Sequence, residues 1–201
     1  MSLQKDIVIL QGKTFQHVLR WETLPFVYKP ITGITQGAPA RITAIGHGLS
    51  TGWRAAVVSV KGMSQINATD SAKLREKDFH TVNVIDVDHV EMNDVNSAEF
   101  KAYVSGGYLQ YYTPVDLSGY TARMSIKDKV GGTELLRLDN TNSRLNIDTA
   151  SHTVSMFIDA TTTAAIVFKN GVYDLEMVSG TGVVTLLMSG SISVTTEVTT
   201  T

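Results

Sequence analysis

The chain of 201 residues has no cysteine, four prolines, and 17 Lys and Arg against 19 Asp and Glu. Each shortage excludes something. Without thiols there is neither a disulfide framework nor a thiolate zinc site. With a net charge of −2 and a pI near 6.2, the chain lacks the basic excess that neutralises phosphates, so a nucleic-acid partner is not expected. Long apolar runs are missing too. No segment approaches the roughly 20 apolar residues that span a bilayer, so no membrane partner is expected. The N-terminal stretch MSLQKDIVILQG has a short apolar run, Ile7 to Leu10, and no basic leader. No signal peptide is expected there, and the chain is expected to be soluble when made.

Catalytic and binding signatures are also scarce. There is no G-x-S-x-G, no G-x-x-x-x-G-K-[ST] and no G-x-G-x-x-G. Histidines stand at 17, 47, 80, 89 and 152, with no i, i+4 pair and no H-E-x-x-H. His47, between Gly46 and Gly48, reads as a turn former. The acidic run holding Asp86, Asp88, His89 and Glu91 lacks the glycine and terminal Glu of a calcium loop, so it reads as a solvated turn. The Gly-rich stretch 46–52 lies between strands and so lacks a helix N-terminus for phosphate. Asn67-Ala68-Thr69 is a glycosylation sequon for which no secretory route is expected. Asp174 and Glu176 share a strand face of the solvent or interface kind. Lys73, Arg75 and Lys77 are balanced by Asp70, Glu76 and Asp78 in a solvated loop. No convergent acid, base or nucleophile stands out. The chain is therefore expected to be no enzyme and to carry no metal or cofactor.

What is present is apolar material in strand-like patterns. Hydrophobic residues make up 43% of the chain, enough to offset the ordering of a folded chain. Period-two alternation is clearest in 120–127, where Tyr120, Ala122, Met124 and Ile126 oppose Thr121, Arg123, Ser125 and Lys127. Phe15–Trp21, Val154–Ile158 and Tyr173–Met177 alternate likewise, and Val183–Met188 and Ile192–Val194 follow. Gly131-Gly132, Asp139-Asn140, Asn170-Gly171 and Gly180–Gly182 supply the turns between them. Residues 159–168, opened by Asp159, read as one or two helical turns. The middle of the chain holds shorter strands at Ala40–Ile45, Trp53–Val60, Phe79–Val87, Val90–Met92 and Tyr108–Tyr112. The polar stretch 61–78 reads as a loop with a helical turn, and Val194–Thr201 as a frayed strand or an arm.

The segments QGKTFQHVLRW (11–21), DLSGYTARMSIKD (116–128) and NGVYDLEMVSGTGVVTLLMSGSISVTTEVT (170–199) together resemble a family of small bacteriophage tail and baseplate proteins, at the N-terminal domain of siphophage upper baseplate proteins. Between them, GAPARITAIGHGLSTGWRAAVVSVKGMSQINA (37–68), FHTVNVIDVDHVEM (79–92) and YVSGG (103–107) are similar to a small β-barrel module of phage virion proteins. That module is named after the first catalytic-cysteine half-domain of ubiquitin-activating enzymes. The likeness to those enzymes concerns fold alone, because this chain has no cysteine.

The resulting expectation is an all-β chain. An antiparallel β-sandwich from residues 1–30 and 114–201 hosts a small β-barrel-like domain, 31–113, inserted in a loop. Pro30 and Pro114 bracket the join. The resemblance implies a structural virion protein of tail, baseplate or neck, assembled in the host cytoplasm. Its implied partners are copies of itself in a ring and other phage proteins. The alternatives are a carbohydrate- or receptor-binding module and a head decoration or connector protein. Candidate contact residues are Tyr108, Tyr111, Tyr112 and Trp53, since aromatic residues favour interfaces. The competing role for the tyrosines is to cover the junction of the two modules.

Overall fold

Alternating apolar residues on a few long strands account for most of the architecture. The computed structural model describes residues 3–196. The chain is all-β, with 49% strand against 6% helix. It forms two compact units, Met1–Trp21 with Val115–Thr201, and Glu22–Pro114.

The first unit begins with β1 (Leu3–Gln4), β2 (Ile7–Leu10) and β3 (Phe15–Arg20). Its sequence resumes, after the second unit, with β11 (Thr121–Lys127), β12 (Glu134–Asp139), β13 (Leu145–Asp148), β14 (Thr153–Ile158), α1 (Ala160–Ala164), β15 (Asn170–Val178) and β16 (Val184–Thr195). One sheet has the order β1-β16-β15-β11-β12, with β2 also on β16. The other is β13-β14-β3. In the first sheet Met124 faces Leu138 on one side and Leu175 on the other. In the second, Val154 faces Leu19 and Ile147. The inward residues of both sheets form one apolar cluster that includes Met124, Leu175, Leu19, Val154 and Met156, and Trp21 packs against it. Each large side chain so buried stabilises the fold by about 1.5–3 kcal/mol. Trp21 also meets Tyr120 edge-on at 5.4 Å.

Two details depart from plain alternation. β1 and β2 pair with β16 in parallel, whereas the other ladders of this unit are antiparallel. β16 also runs unbroken through Gly190, where two shorter strands were expected. The reason lies in the approach of the N-terminal segment. A Cβ on Gly190 would lie 2.2 Å from the Lys5 carbonyl oxygen. The same carbonyl accepts from the Tyr173 hydroxyl. Asp6 accepts from the Ser191 amide at 3.0 Å and its hydroxyl at 2.7 Å. Burial, aided by the Asp6 charge, pushes the Tyr173 hydroxyl up to about 12, so it stays a donor.

Asp159 caps α1 by accepting from the Thr162 amide at 2.8 Å, and the helix ends at Ala164 after little more than one turn. The expected C-terminal arm begins within β16, where Val194 and Thr195 pair with Ile9 and Leu10. Its later part lies outside the described residues.

The second unit contains β4 (Glu22–Pro30), β5 (Gly33–Thr35), β6 (Ala40–Thr43), β7 (Arg54–Val58), β8 (His80–Val84), β9 (His89–Met92) and β10 (Tyr108–Pro114). They form one antiparallel, curled half-barrel sheet in the order β4-β10-β7-β8-β9-β6-β5. Its interior holds Trp53, Ile42, Met63, Met92 and Leu109. Residues 22–30, expected with the outer domain, instead form β4, which pairs with β10 from Glu22 to Pro30. The unit boundary therefore falls at Trp21 and Val115.

Substituting Gly190→Ala is expected to destabilise the first unit by about 1–3 kcal/mol, because the added methyl collides with backbone that cannot swing away. Thermal unfolding and amide exchange of Ile7–Leu10 measure this, with exchange rising there first. A second expectation concerns acid. Lys5 Nζ donates to His17 Nε2 at 3.0 Å. Burial, with the Lys5 charge added, holds the imidazole below its ordinary value. The folded state therefore takes up this proton less readily than the unfolded chain. The resulting stability is present above the unfolded value and is lost as pH falls through it. Melting between about pH 7 and pH 5 should fall less steeply in His17→Gln than in the wild type.

Candidate functional site

The second unit's sheet has an apolar inner face and an aromatic outer one. Strand register decides which ring goes where. Leu109 and Tyr111 of β10 point into the core with Val27 of β4. Their neighbours Tyr108, Gln110 and Tyr112 point the other way. Across the ladder, Tyr112 pairs with Phe26 and Gln110 with Tyr28. The rings form a continuous chain. Tyr108 meets Tyr28 edge-on at 6.2 Å, and Tyr28 meets Phe26 at 6.4 Å. Phe26 meets Tyr112 at 4.5 Å, and Tyr112 stacks on Phe79 at 5.6 Å. Such pairs add about 0.5–1.5 kcal/mol each beyond area burial.

Arg54 closes the buried end of this chain. Its guanidinium lies 4.8 Å from the Phe79 centroid and 5.8 Å from that of Tyr112. It donates to Glu22, and to both Glu76 oxygens at 2.6 Å. Burial opposes the Arg54 charge, but these two carboxylates outweigh it and raise the group above its ordinary value. The other end is open: Tyr28 is 52% and Tyr108 43% exposed. Beneath the rings Gln110 is fully buried. Its Nε2 donates to the Tyr28 hydroxyl at 3.2 Å, while its Oε1 has no hydrogen-bond partner among the described residues.

Two of the four candidate contact residues are thereby corrected. Trp53 is 1% exposed and Tyr111 2% exposed, both inside the second unit's own core. Neither is available to a partner or to a sugar ring. The Tyr111 hydroxyl donates to the His47 carbonyl, and burial pushes it up to about 12. Tyr108 and Tyr112 remain on the outer face. Phe26, Tyr28, Phe79 and Arg54 join them without having been singled out. The alternation Phe26-Val27-Tyr28 carried a signal for the first two. Arg54 and Phe79 carried none, because their place depends on pairings distant in sequence.

The other polar candidates hold turns. Gly46 and Gly48 both have positive φ, at 55° and 68°. Between them His47 Nδ1 accepts from the Leu49 amide at 3.0 Å, so Nε2 carries the proton and donates to the Asp86 carbonyl at 2.9 Å. Asp86 accepts from the Asp88 amide and from His89 Nδ1, and Asp88 accepts from the Gly46 amide. The sequon's Asn67 is similarly engaged: its Oδ1 accepts from the Val60 amide at 2.9 Å and its Nδ2 donates to the Val60 carbonyl at 3.0 Å. In the first unit Glu176 pairs with Arg123 at 2.7 Å across the strands. Among the described residues no group of three or more His, Asp or Glu is placed to hold a metal ion, and no helix is long and apolar enough to cross a membrane.

Glu22 is mostly buried and Glu76 is mostly exposed, so their bonds to Arg54 are unequal. Replacing Glu76 with Gln is expected to cost under about 1 kcal/mol. Arg54→Met should cost about 1–3 kcal/mol, because it leaves the Glu22 carboxylate unpaired. Adding Glu22→Met should recover part of that loss in denaturant titrations.

Compared with known proteins, the sequence matches no family model and no curated protein.

Proposed function

We propose that the chain is a structural component of a bacteriophage virion, in its tail, baseplate or neck, and that it works by docking rather than by turnover. The observation that carries the docking role is the ring chain Tyr108–Tyr28–Phe26–Tyr112–Phe79 on the face of the half-barrel sheet away from its core. The phage setting rests on the resemblance at 11–21, 116–128 and 170–199.

Tyrosine suits a contact surface because it combines a large apolar area with a polar tip and has few rotamers to lose. The sheet's edges are poorly suited to the same task. β4 is the terminal strand in the sheet order and carries Pro25 and Pro30, which lack the amide donors a further strand needs. β5, at the other end, has three residues. The aromatic face is thus the surface by which this unit engages copies of itself or other virion proteins. In a ring, one modest contact repeats at every subunit, so small areas sum to a durable assembly.

The test is whether the chain resides in the particle and whether this face holds it there. Mass spectrometry of purified particles encoding the chain should find it at a fixed stoichiometry. Tyr28→Ser with Tyr108→Ser removes two exposed rings and leaves the core cluster intact. Its incorporation should fall about tenfold or more while it still unfolds cooperatively, with melting lowered only by the two lost ring pairs and the lost Gln110 bond. A wild-type chain absent from particles sinks the virion reading. Undiminished incorporation of the double variant sinks the docking face.

A further inference from the structure

The second unit also carries a cleft of about 450 Å³, within the range that holds small ligands. Its lining includes Gln65, Lys77, His80, Asp94, Asn96 and Phe100. None of these belongs to the ring chain.

The cleft is built rather than incidental. On one wall, the Asn67 amide clamps the Val60 backbone from both sides, and Asp78 accepts from the Arg75 amide at 2.8 Å and the Thr69 amide at 3.4 Å. On the other, fully buried Ser97 accepts from the Gly37 amide at 3.1 Å and offers its hydroxyl to the Thr35 and Gly37 carbonyls. Gln36 Nε2 donates to the Phe100 carbonyl, and the Phe100 amide donates to Ser97 at 3.1 Å. These bonds fix both walls without a ligand, so an occupant meets little ordering cost.

The chemistry of the lining narrows the occupant. His80 Nδ1 bonds Asp94 Oδ2 at 2.8 Å, which orients the carboxylate and leaves its second oxygen as an acceptor. Asn96 Oδ1 is taken by the Ala98 amide at 3.1 Å, so its NH₂ group remains to donate. Phe100 supplies an apolar flank. Lys77 is outnumbered by Asp78 and Asp94, which disfavours a phosphate or other dianion. A lipid tail would strand these polar groups without partners. What matches is a neutral molecule with adjacent hydroxyls, able both to donate to a carboxylate and to accept from an amide, and with one C–H face to lay on a ring. We infer that the cleft binds a neutral mono- or disaccharide, with Asp94 and Asn96 as its hydroxyl contacts.

The test uses the full chain labelled with ¹⁵N, titrated separately with galactose, N-acetylglucosamine, rhamnose and inorganic phosphate. At least one sugar should shift the Thr69, His80, Asn96 and Phe100 amides saturably, and phosphate should not. Asp94→Asn, at an exposed carboxylate, should weaken that binding about tenfold with the remaining spectrum unchanged. The Tyr28→Ser and Tyr108→Ser double variant should bind the sugar as the wild type does, so this inference and the docking face fail separately. The inference is overturned if none of the three sugars moves these amides, if phosphate moves them instead, or if Asp94→Asn binds as tightly as wild type.

Discussion

The antiparallel ladder between β4 and β10 is the constraint on which the two-unit organisation depends. Glu22 pairs with Pro114, so the first and last residues of the second unit lie side by side. A segment whose ends meet in this way can interrupt another fold with a loop-closure cost that grows only slowly with its length. The first unit shows the complementary feature. The Val115 amide donates to the Trp21 carbonyl at 3.0 Å, so its two sequence segments are joined by a hydrogen bond where the interruption occurs. Each unit then buries its own apolar cluster.

The same ladder creates the aromatic face. Period two along β10 sends Leu109 and Tyr111 inward and Tyr108 and Tyr112 outward. The pairing with β4 sets Phe26 opposite Tyr112. A shift of one residue would exchange the two sets and expose the core. Arg54 and Glu22 tie β7 to β4 across β10, while Glu76 adds an exposed bond from the loop between β7 and β8.

How much of this was legible varies with the physical environment of each strand. β11, β14 and β15 could be read directly, because each lies between two neighbours and buries one face, which forces clean alternation. β12 escaped the reading. It is a terminal strand in its sheet, and its adjacent Leu135 and Leu136 are both half-buried, so no period emerges. β16 was read as two pieces because Gly190 resembles a break, yet the glycine is required by the passing Lys5 carbonyl, a contact 185 residues away in sequence. Tyr111 and Trp53 were grouped with exposed rings on composition alone. Alternation within Tyr108–Tyr112 already separates Tyr111 from the other two. The cleft left no motif at all, because its lining comes from three separate stretches between residues 65 and 100.

Carboxylates show why polar residues in this chain are a poor guide to chemistry. Asp139 accepts from the Thr141 hydroxyl at 2.6 Å, from Arg137 Nε at 2.8 Å and from two backbone amides, which hold it well below the usual carboxylate range. Asp6 and Asp159 are likewise lowered by the amides and hydroxyls they bind, and Asp86 by the Asp88 amide and the His89 ring. A carboxylate committed to so many donors is a weak base whose charge is already engaged in holding its own turn. Among the described residues the Asp94 side chain bonds only His80, and it lines a cleft. Gln110 is a different case: its buried oxygen lacks a partner among the described residues, at a cost of about 1–3 kcal/mol. That cost lies beneath Tyr28, on the face of this sheet away from the core. Stability is thus given up at the aromatic face for which docking is proposed, while the apolar interior on the other side of the same sheet holds the unit together.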